Sequence, residues 1–517
     1  MILGEAPQNI PATAATVDAV FRRALARRSS ALALIDPPNR ENFTDGTPRR
    51  LTYAEADRMI TAIAGRLRRM GLQTDAIIGI QLPNIVESVL VLLGVLRAGM
   101  IPAMLPLLWR RADAITALSR VGAKTLITCA RVGGVEHGDL ALHIAAEIFP
   151  IRYVCAFGRN LPDGAVPLDE LYAAEKPDPI PPFERERGGN PAAHVAIITW
   201  DVTPEGLVPV ARSHVELLAG GISVLLESRL EHDAVVLSSI ATSSFAGLAL
   251  NVVPWLLLGG TLALHHPFDA DVFAAQRKEH RCDAVVLPGT MIAQLAQAGL
   301  LGEGDGLRAV LALWRSPERL HACAGWRERS IALIDVPVFG EAGLFAARRG
   351  NTGKPAPIGF GTITAPRGAP NGVLTLEVSR TPAGTVGIRG PMVPRYSFPP
   401  GVERSDVPHF KTNGGGLFDT GYTCRLDRDG RTMVVTGPPA GIVSVGGYRF
   451  VERELQDQVA WAGNATLAAL PDALSGHRLA GSAASPATVR DVLAGLGLNP
   501  LVISAFRDHR EPGATQR

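Results

Sequence analysis

The feature that most constrains this chain is the regular alternation of short apolar runs and helix-period segments between residues 52 and 129. Thr52, with Glu55 three residues later, has the pattern of a capping box, and the apolar positions after it recur at helical spacing through Met70. Ala76 to Gln81 reads as a strand, Ile85 to Arg97 as a helix and Ile101 to Leu105 as a strand. Ala112 to Val121 then reads as a helix and Lys124 to Cys129 as a strand. Strands separated by helices run parallel, and a parallel sheet is buried under helices on both faces. The expected class is therefore α/β. Ahead of this block, one helix-like stretch, Val17 to Arg28, precedes a loop rich in Pro, Asn and Gly up to Arg50.

With 517 residues, 47% apolar and 19% charged, the chain has material for two or three packed units and is too apolar for disorder. A net charge of +2 gives no field that would draw nucleic acid or an anionic membrane, so the arginine pairs at 22–23, 27–28, 68–69 and 110–111 read as solvated faces. The five cysteines are far apart, with no Cys-x-x-Cys spacing, which speaks against a disulfide framework or zinc site and fits a cytoplasmic location. His265 and His266 are adjacent and point apart on helix or strand, which disfavours a metal pair. No basic start and apolar core of a signal peptide opens the chain. The most apolar run, Val89 to Trp109, is broken by Arg97, Gly99, Pro102 and Pro106, so no membrane span is expected.

After a Pro-rich stretch at 177 to 191, read as a surface linker, comes the segment where function is decided. Val195 to Thr199 is an apolar strand, a turn-rich loop follows, and Ser213 to Leu226 has helical period. That is the layout of a phosphate site. Its chemistry is mostly missing: Gly206 is the only glycine, Pro204 and Pro209 remove two N–H donors, and the loop's cation is Arg212. By composition this loop is a structural turn. Further on, Ala234 to Ile240, Thr261 to His265 and Leu333 to Phe339 read as strands, and Val373 to Val378 and Thr385 to Arg389 as the runs of a β-rich unit. Phe245 to Leu258 reads as a helix. On it Phe245, Leu248, Val252 and Trp255 share one face beside Gly247, and that face is either an apolar groove or the core side of an amphipathic helix.

Several stretches together resemble the AMP-forming acyl-CoA synthetase and adenylation-domain superfamily. They are Leu-Thr-Tyr-Ala-Glu-Ala-Asp at 51 to 57, Gly-Ile-Gln-Leu-Pro-Asn at 79 to 84, Leu-Leu-Gly-Val-Leu-Arg-Ala-Gly at 92 to 99 and Ser-His at 213 to 214. Gly-Gly-Thr-Leu-Ala-Leu at 259 to 264, Val-Val-Leu-Pro-Gly-Thr-Met at 285 to 291 and Ile-Arg-Gly-Pro-Met-Val at 388 to 393 add to the likeness. The resemblance implies a large N-terminal domain of two helix-covered, mainly parallel sheets with a small β-rich subdomain, then a short α+β C-terminal domain. The implied boundaries are 1–190, 191–370, 371–437 and 438–517, with the acyl pocket in the second unit. Carried over position by position, the nucleotide site falls on Thr203, Gly206, Arg212, Gly340, Glu341, Thr420, Gly421 and Tyr422. The acyl pocket falls on Ser244, Phe245, Gly247, Leu248, Val252 and Trp255. The cofactors implied are ATP, Mg²⁺ and CoA, with Glu341 the one candidate for the metal.

The chain departs from the superfamily's pattern at each chemical part. The phosphate-loop lysine becomes Val208, and the loop glycines become Val202, Glu205 and Pro209. The threonine and magnesium glutamate of the turn at 339 to 343 become Ala342 and Gly343. The ribose aspartate becomes Tyr422, which has one oxygen where a diol needs two. A small-residue adenine segment becomes Leu313-Trp314-Arg315-Ser316. The hinge arginine and acid become Pro438 and Ala440, and no lysine follows Lys411. Each missing charge-assisted contact is worth about 1.5 to 3 kcal/mol. The first expectation is accordingly a non-adenylating acyl-CoA-synthetase-like protein, a pseudoenzyme that binds a carboxylic acid or acyl-thioester. The second is a working ligase with its triphosphate on Arg212, Arg315 and Glu341. The third is a structural subunit holding a biosynthetic partner enzyme, and the protein partners expected are an acyl carrier protein or a biosynthetic enzyme.

Overall fold

The computed structural model describes residues 15–173, 179–181, 188–302, 306–323, 325–328, 330–428 and 430–507. Much of the Pro-rich linker at 177 to 191 lies outside the described residues. The alternation in the first half forms as the sequence predicts. Helix Tyr53–Arg69 opens on a capping box in which Thr52 and Glu55 bond each other's backbone N–H. Strands Ile77–Ile80, Ile101–Met104 and Thr125–Cys129 are buried and parallel, with helices Val86–Arg97 and Arg111–Val121 between them.

Among the described residues the strands gather into four larger sheets. The first is mainly parallel, with Ile77–Ile80 at its centre and Val195–Thr203 and Gly206–Ser213 at one edge. The second, also mainly parallel, carries Val235–Ser238, Thr261–Leu264, Ala284–Pro288, Ala309–Trp314 and Ala332–Phe339. Leu32–Ile35 pairs with Thr261–Leu264 in this second sheet, while the strands just past residue 190 join the first. The two sheets thus exchange segments across the boundary drawn at 190, because each N-terminal element follows its apolar face into whichever layer can bury it. One core runs between the sheets through helices Tyr53–Arg69, Val86–Arg97 and His214–Ser228.

A six-stranded, antiparallel sheet between residues 358 and 437 forms the β-rich unit. Beyond it, strands Ile442–Val445, Tyr448–Val451, Thr466–Asp472 and Gly476–Ser482 make a small sheet. Helices Glu452–Trp461 and Pro486–Gly495 close a separate apolar core on this sheet. This α+β unit sits against the larger body through Tyr448, whose hydroxyl accepts from the Leu108 N–H at 3.1 Å, and through Ala112, whose N–H donates to the Gly497 carbonyl at 3.1 Å.

Candidate functional site

The turn-rich loop expected between Thr199 and Ser213 is instead a β-hairpin. Val195–Thr203 and Gly206–Ser213 pair antiparallel from Val195 opposite Ser213 to Thr203 opposite Gly206, leaving only Pro204 and Glu205 at the tip. Both arms carry β-branched residues, Val195, Ile197, Ile198, Thr199, Val202 and Thr203 on the first and Val208 and Val210 on the second, which favours pairing. Pro209 is tolerated because its strand is the sheet's edge, where a missing donor costs no ladder bond. Thr203 and Gly206 therefore close a tight turn, with the Thr203 hydroxyl donating to the Gly206 carbonyl at 3.3 Å. Val208 is buried opposite Asp201. The helix that follows begins at His214, capped by Ser213 and Glu216.

Arg212 lies at the root of this hairpin, fully buried. One guanidinium nitrogen donates to the carbonyls of Glu341 and Ala342, the latter at 3.0 Å, and the group stacks 3.8 Å over the Phe245 ring. Burial pushes its pKa down to about 10, against the pull of Glu341 and Glu216. The turn it supports, at 340 to 343, depends on Gly340, whose φ is +58°. A Cβ there would come within 2.1 Å of an Asp201 carboxylate oxygen. That same oxygen accepts from the Glu341 N–H at 2.9 Å, and the other Asp201 oxygen holds Arg449 of the C-terminal unit in an ion pair. The Glu341 carboxylate points to the start of the next helix and accepts from the Phe245 N–H at 2.7 Å. Burial raises its pKa, while Arg212 and then Arg315 pull it back down.

Thr420, Gly421 and Tyr422 lie on strand Phe418–Leu426. The Thr420 hydroxyl is bonded to the Val386 carbonyl at 2.8 Å, and Gly421 takes a φ of +72° beneath Pro439. Tyr422 is 2% exposed, sits edge-on to Phe339 with centroids 5.7 Å apart, and its hydroxyl reaches the Arg315 carbonyl at 3.4 Å. Burial pushes its pKa up to about 12.

The helix Phe245 to Leu258 forms with a π-turn at Leu248–Val252, but its apolar stripe is core. Trp255 stacks on Tyr53 at 5.9 Å and donates to the Gly260 carbonyl, and Leu248 and Val252 are buried in the same cluster. Gly247 is there because a Cβ would strike the Ala241 carbonyl oxygen at 1.9 Å. This corrects the groove expected from Phe245, Gly247, Leu248, Val252 and Trp255: of the six residues assigned to the acyl pocket, only Ser244 lines the cleft.

The cleft itself is a cavity of about 450 Å³ between the ends of both large sheets, the β-rich unit and the C-terminal unit. Trp109, Trp200, Trp314, Tyr422 and Tyr448 give it aromatic walls, and Asp201, Arg315, Glu341 and Arg449 its charges. Of the residues assigned to the nucleotide site, Gly340, Glu341 and Tyr422 line this cavity, whereas Thr203, Gly206, Arg212, Thr420 and Gly421 stay outside the lining. Arg315 is held from several sides. It donates to the Ser244 hydroxyl at 2.8 Å, and Gly447, at φ +91°, lies so close that a Cβ would be 2.6 Å from the Arg315 Cδ. Sequence reasoning missed Asp201 and Arg449. The one available signal was a carboxylate inside the mostly apolar run 195 to 202.

The sequence matches the AMP-binding enzyme family over residues 21–198. Triostin synthetase I from Streptomyces triostinicus is 26% identical over 477 residues, covering 87% of this chain and 84% of that protein. A 2-hydroxy-7-methoxy-5-methyl-1-naphthoate–CoA ligase from Streptomyces carzinostaticus is 24% identical over 468 residues, covering 84% and 79%. Among solved structures, an amide bond synthetase from Marinactinospora thermotolerans superimposes with a TM-score of 0.69 at 18% identity, covering 93% of this chain and 94% of its own. An o-succinylbenzoate CoA synthetase from Bacillus subtilis does so at 0.68 and 16% identity, covering 93% and 92%. The chain is thus similar to AMP-binding enzymes over residues 21–198 and to ligases and synthetases over most of its length, and it shares the fold of these solved structures. No helix among the described residues is long and apolar enough to cross a membrane.

Proposed function

We propose that this relative of the AMP-forming acyl-CoA synthetases binds a carboxylic acid or acyl-thioester in the cleft beside Ser244 and does not adenylate it. The observation that carries the reading is the hairpin. Phosphate is held by N–H groups free to point at it, and in residues 195 to 213 the inward-facing groups of both arms belong to a paired ladder closed by a two-residue turn, in place of an open loop. A Mg²⁺ ion needs a carboxylate with oxygens to give. Glu341 offers one oxygen to the Phe245 N–H and lies against the buried cation Arg212. These residues do not fit a magnesium triphosphate, so no step is derived through ATP, Mg²⁺ or CoA. What this chain's own residues do is enclose an acid: aromatic side chains exclude water, and fixed guanidinium groups meet charge.

A second reading, an active ATP-dependent ligase acting on an acid with CoA or an acyl carrier protein as acceptor, draws support from the ligase and synthetase names of the relatives. It requires Arg212 to leave two backbone carbonyls, a strongly disfavoured rearrangement for a buried cation. A role as a structural partner in a biosynthetic complex would leave the cleft without a ligand. Calorimetry separates the three. Titrating medium-chain and aromatic acids should give saturable heat, and ATP with Mg²⁺ should give none. Saturable ATP binding would favour the ligase, and silence toward every acid by folded protein the structural role.

A further inference from the structure

We propose that Arg315 is the group that receives the ligand's charge, and that the ligand is a small planar monocarboxylate bound as its free anion. This rests on the cleft reading above and names its substrate class. The charges on the walls carry the argument. Asp201 is paired with Arg449. Glu341 is held by the Phe245 N–H and faces Arg212, which stabilises its charge more than any other cation. Arg315 lines the cavity with one nitrogen on the neutral Ser244 hydroxyl, and among the described residues no carboxylate stands within ion-pair distance of it. Asp201 is thus answered by Arg449 and Glu341 foremost by Arg212, which leaves Arg315 the lining cation without a paired carboxylate. A guanidinium with an open face and no anion is free to take one, and its planar fork fits a carboxylate with two parallel N–H bonds.

Position and shape agree with this. Arg315 is fixed before any ligand arrives, by Ser244 at the guanidinium, by Gly447 along the stem and by Tyr422 at its carbonyl. Beside it Trp314 lies on Gly289, where a Cβ would be 2.4 Å from the indole, and its Nε1–H donates to Asp335 at 2.9 Å. Trp109, Trp200, Trp314, Tyr422 and Tyr448 line the cavity, and such aromatic side chains favour an aromatic partner. The volume of about 450 Å³ is near the low end of what encloses a drug-sized molecule, roughly 300 to 1,000 Å³. A free acid offers Arg315 an anion. A thioester of the same acid offers only a carbonyl.

The test compares cinnamate with the neutral, nearly isosteric cinnamamide by calorimetry, on the wild-type chain and on Arg315→Gln and Arg315→Lys. The wild type is expected to prefer the acid by about tenfold to a hundredfold, the value of a charge-assisted pair. That preference should vanish in Arg315→Gln and survive in part in Arg315→Lys, while amide affinity changes little. Equal binding of acid and amide by the wild type, a measurement that needs no variant, would overturn the assignment and leave the cleft reading standing. So would an undiminished preference in Arg315→Gln. Absence of binding by both compounds, and by the wider acid panel, would overturn the cleft reading and this inference with it.

Discussion

Arg212 and Arg315 both act on the charge of Glu341, and their fates differ. Arg212 is sealed: its charge is answered by two backbone carbonyls, an aromatic face and a buried carboxylate, so it joins the hairpin 195 to 213 to the turn at 340 to 343. Arg315 keeps an open face toward the cavity and has only a hydroxyl as partner. Two arginines that composition alone would group together as phosphate ligands are thus a structural rivet and a ligand contact. What separates them is how completely the surrounding fold saturates each guanidinium.

That contrast is sharpened most by removing each cation in turn. Arg212→Met should cost about 3 to 5 kcal/mol, because it leaves Glu341 and two carbonyls buried without their partner. Arg315→Met should cost less than about 1 kcal/mol, as expected for a part-exposed side chain with one neutral hydrogen bond. Scanning calorimetry of the two variants measures the difference, and equal falls in melting temperature would break the distinction. Next in size, Gly340→Ala should cost about 1 to 3 kcal/mol through its left-handed φ and the contact with Asp201. It should also release the C-terminal unit from Arg449, seen as faster proteolysis between residues 438 and 441. The smallest effect concerns Glu341→Gln. Because the folded pKa of Glu341 is raised, its contribution to stability is fully present below its ordinary pKa near 4.5 and is lost as pH rises through the folded value. Glu341→Gln should therefore match the wild type best at pH 4 and gain on it toward pH 7. A gap that stays constant or closes over that range would count against a net burial penalty on this carboxylate.

The sequence made the layers readable and left the site only half readable, for physical reasons. The alternation from Thr52 to Cys129 predicts its helices and strands nearly residue by residue, since each must bury one face. The scarcity of phosphate-binding donors around Gly206 was visible in the sequence. The hairpin that replaces the loop was not, because Pro204 and Pro209 read locally as strand breakers and only the edge position of the second arm makes Pro209 harmless. Helical period could not say whether the stripe of Phe245, Leu248, Val252 and Trp255 faces a cavity or a core, and the answer came from Tyr53, 202 positions before Trp255. The Asp201–Arg449 pair spans 248 positions, a distance over which no local pattern carries information.

The account's central claim is that the nucleotide side of this fold is closed while the acid cleft remains, and acid-dependent exchange of labelled pyrophosphate into ATP addresses it most directly. With an acid that calorimetry shows to bind, the account predicts exchange no faster than in the acid-free control at millimolar ATP and Mg²⁺. Exchange that saturates with both acid and ATP would contradict it.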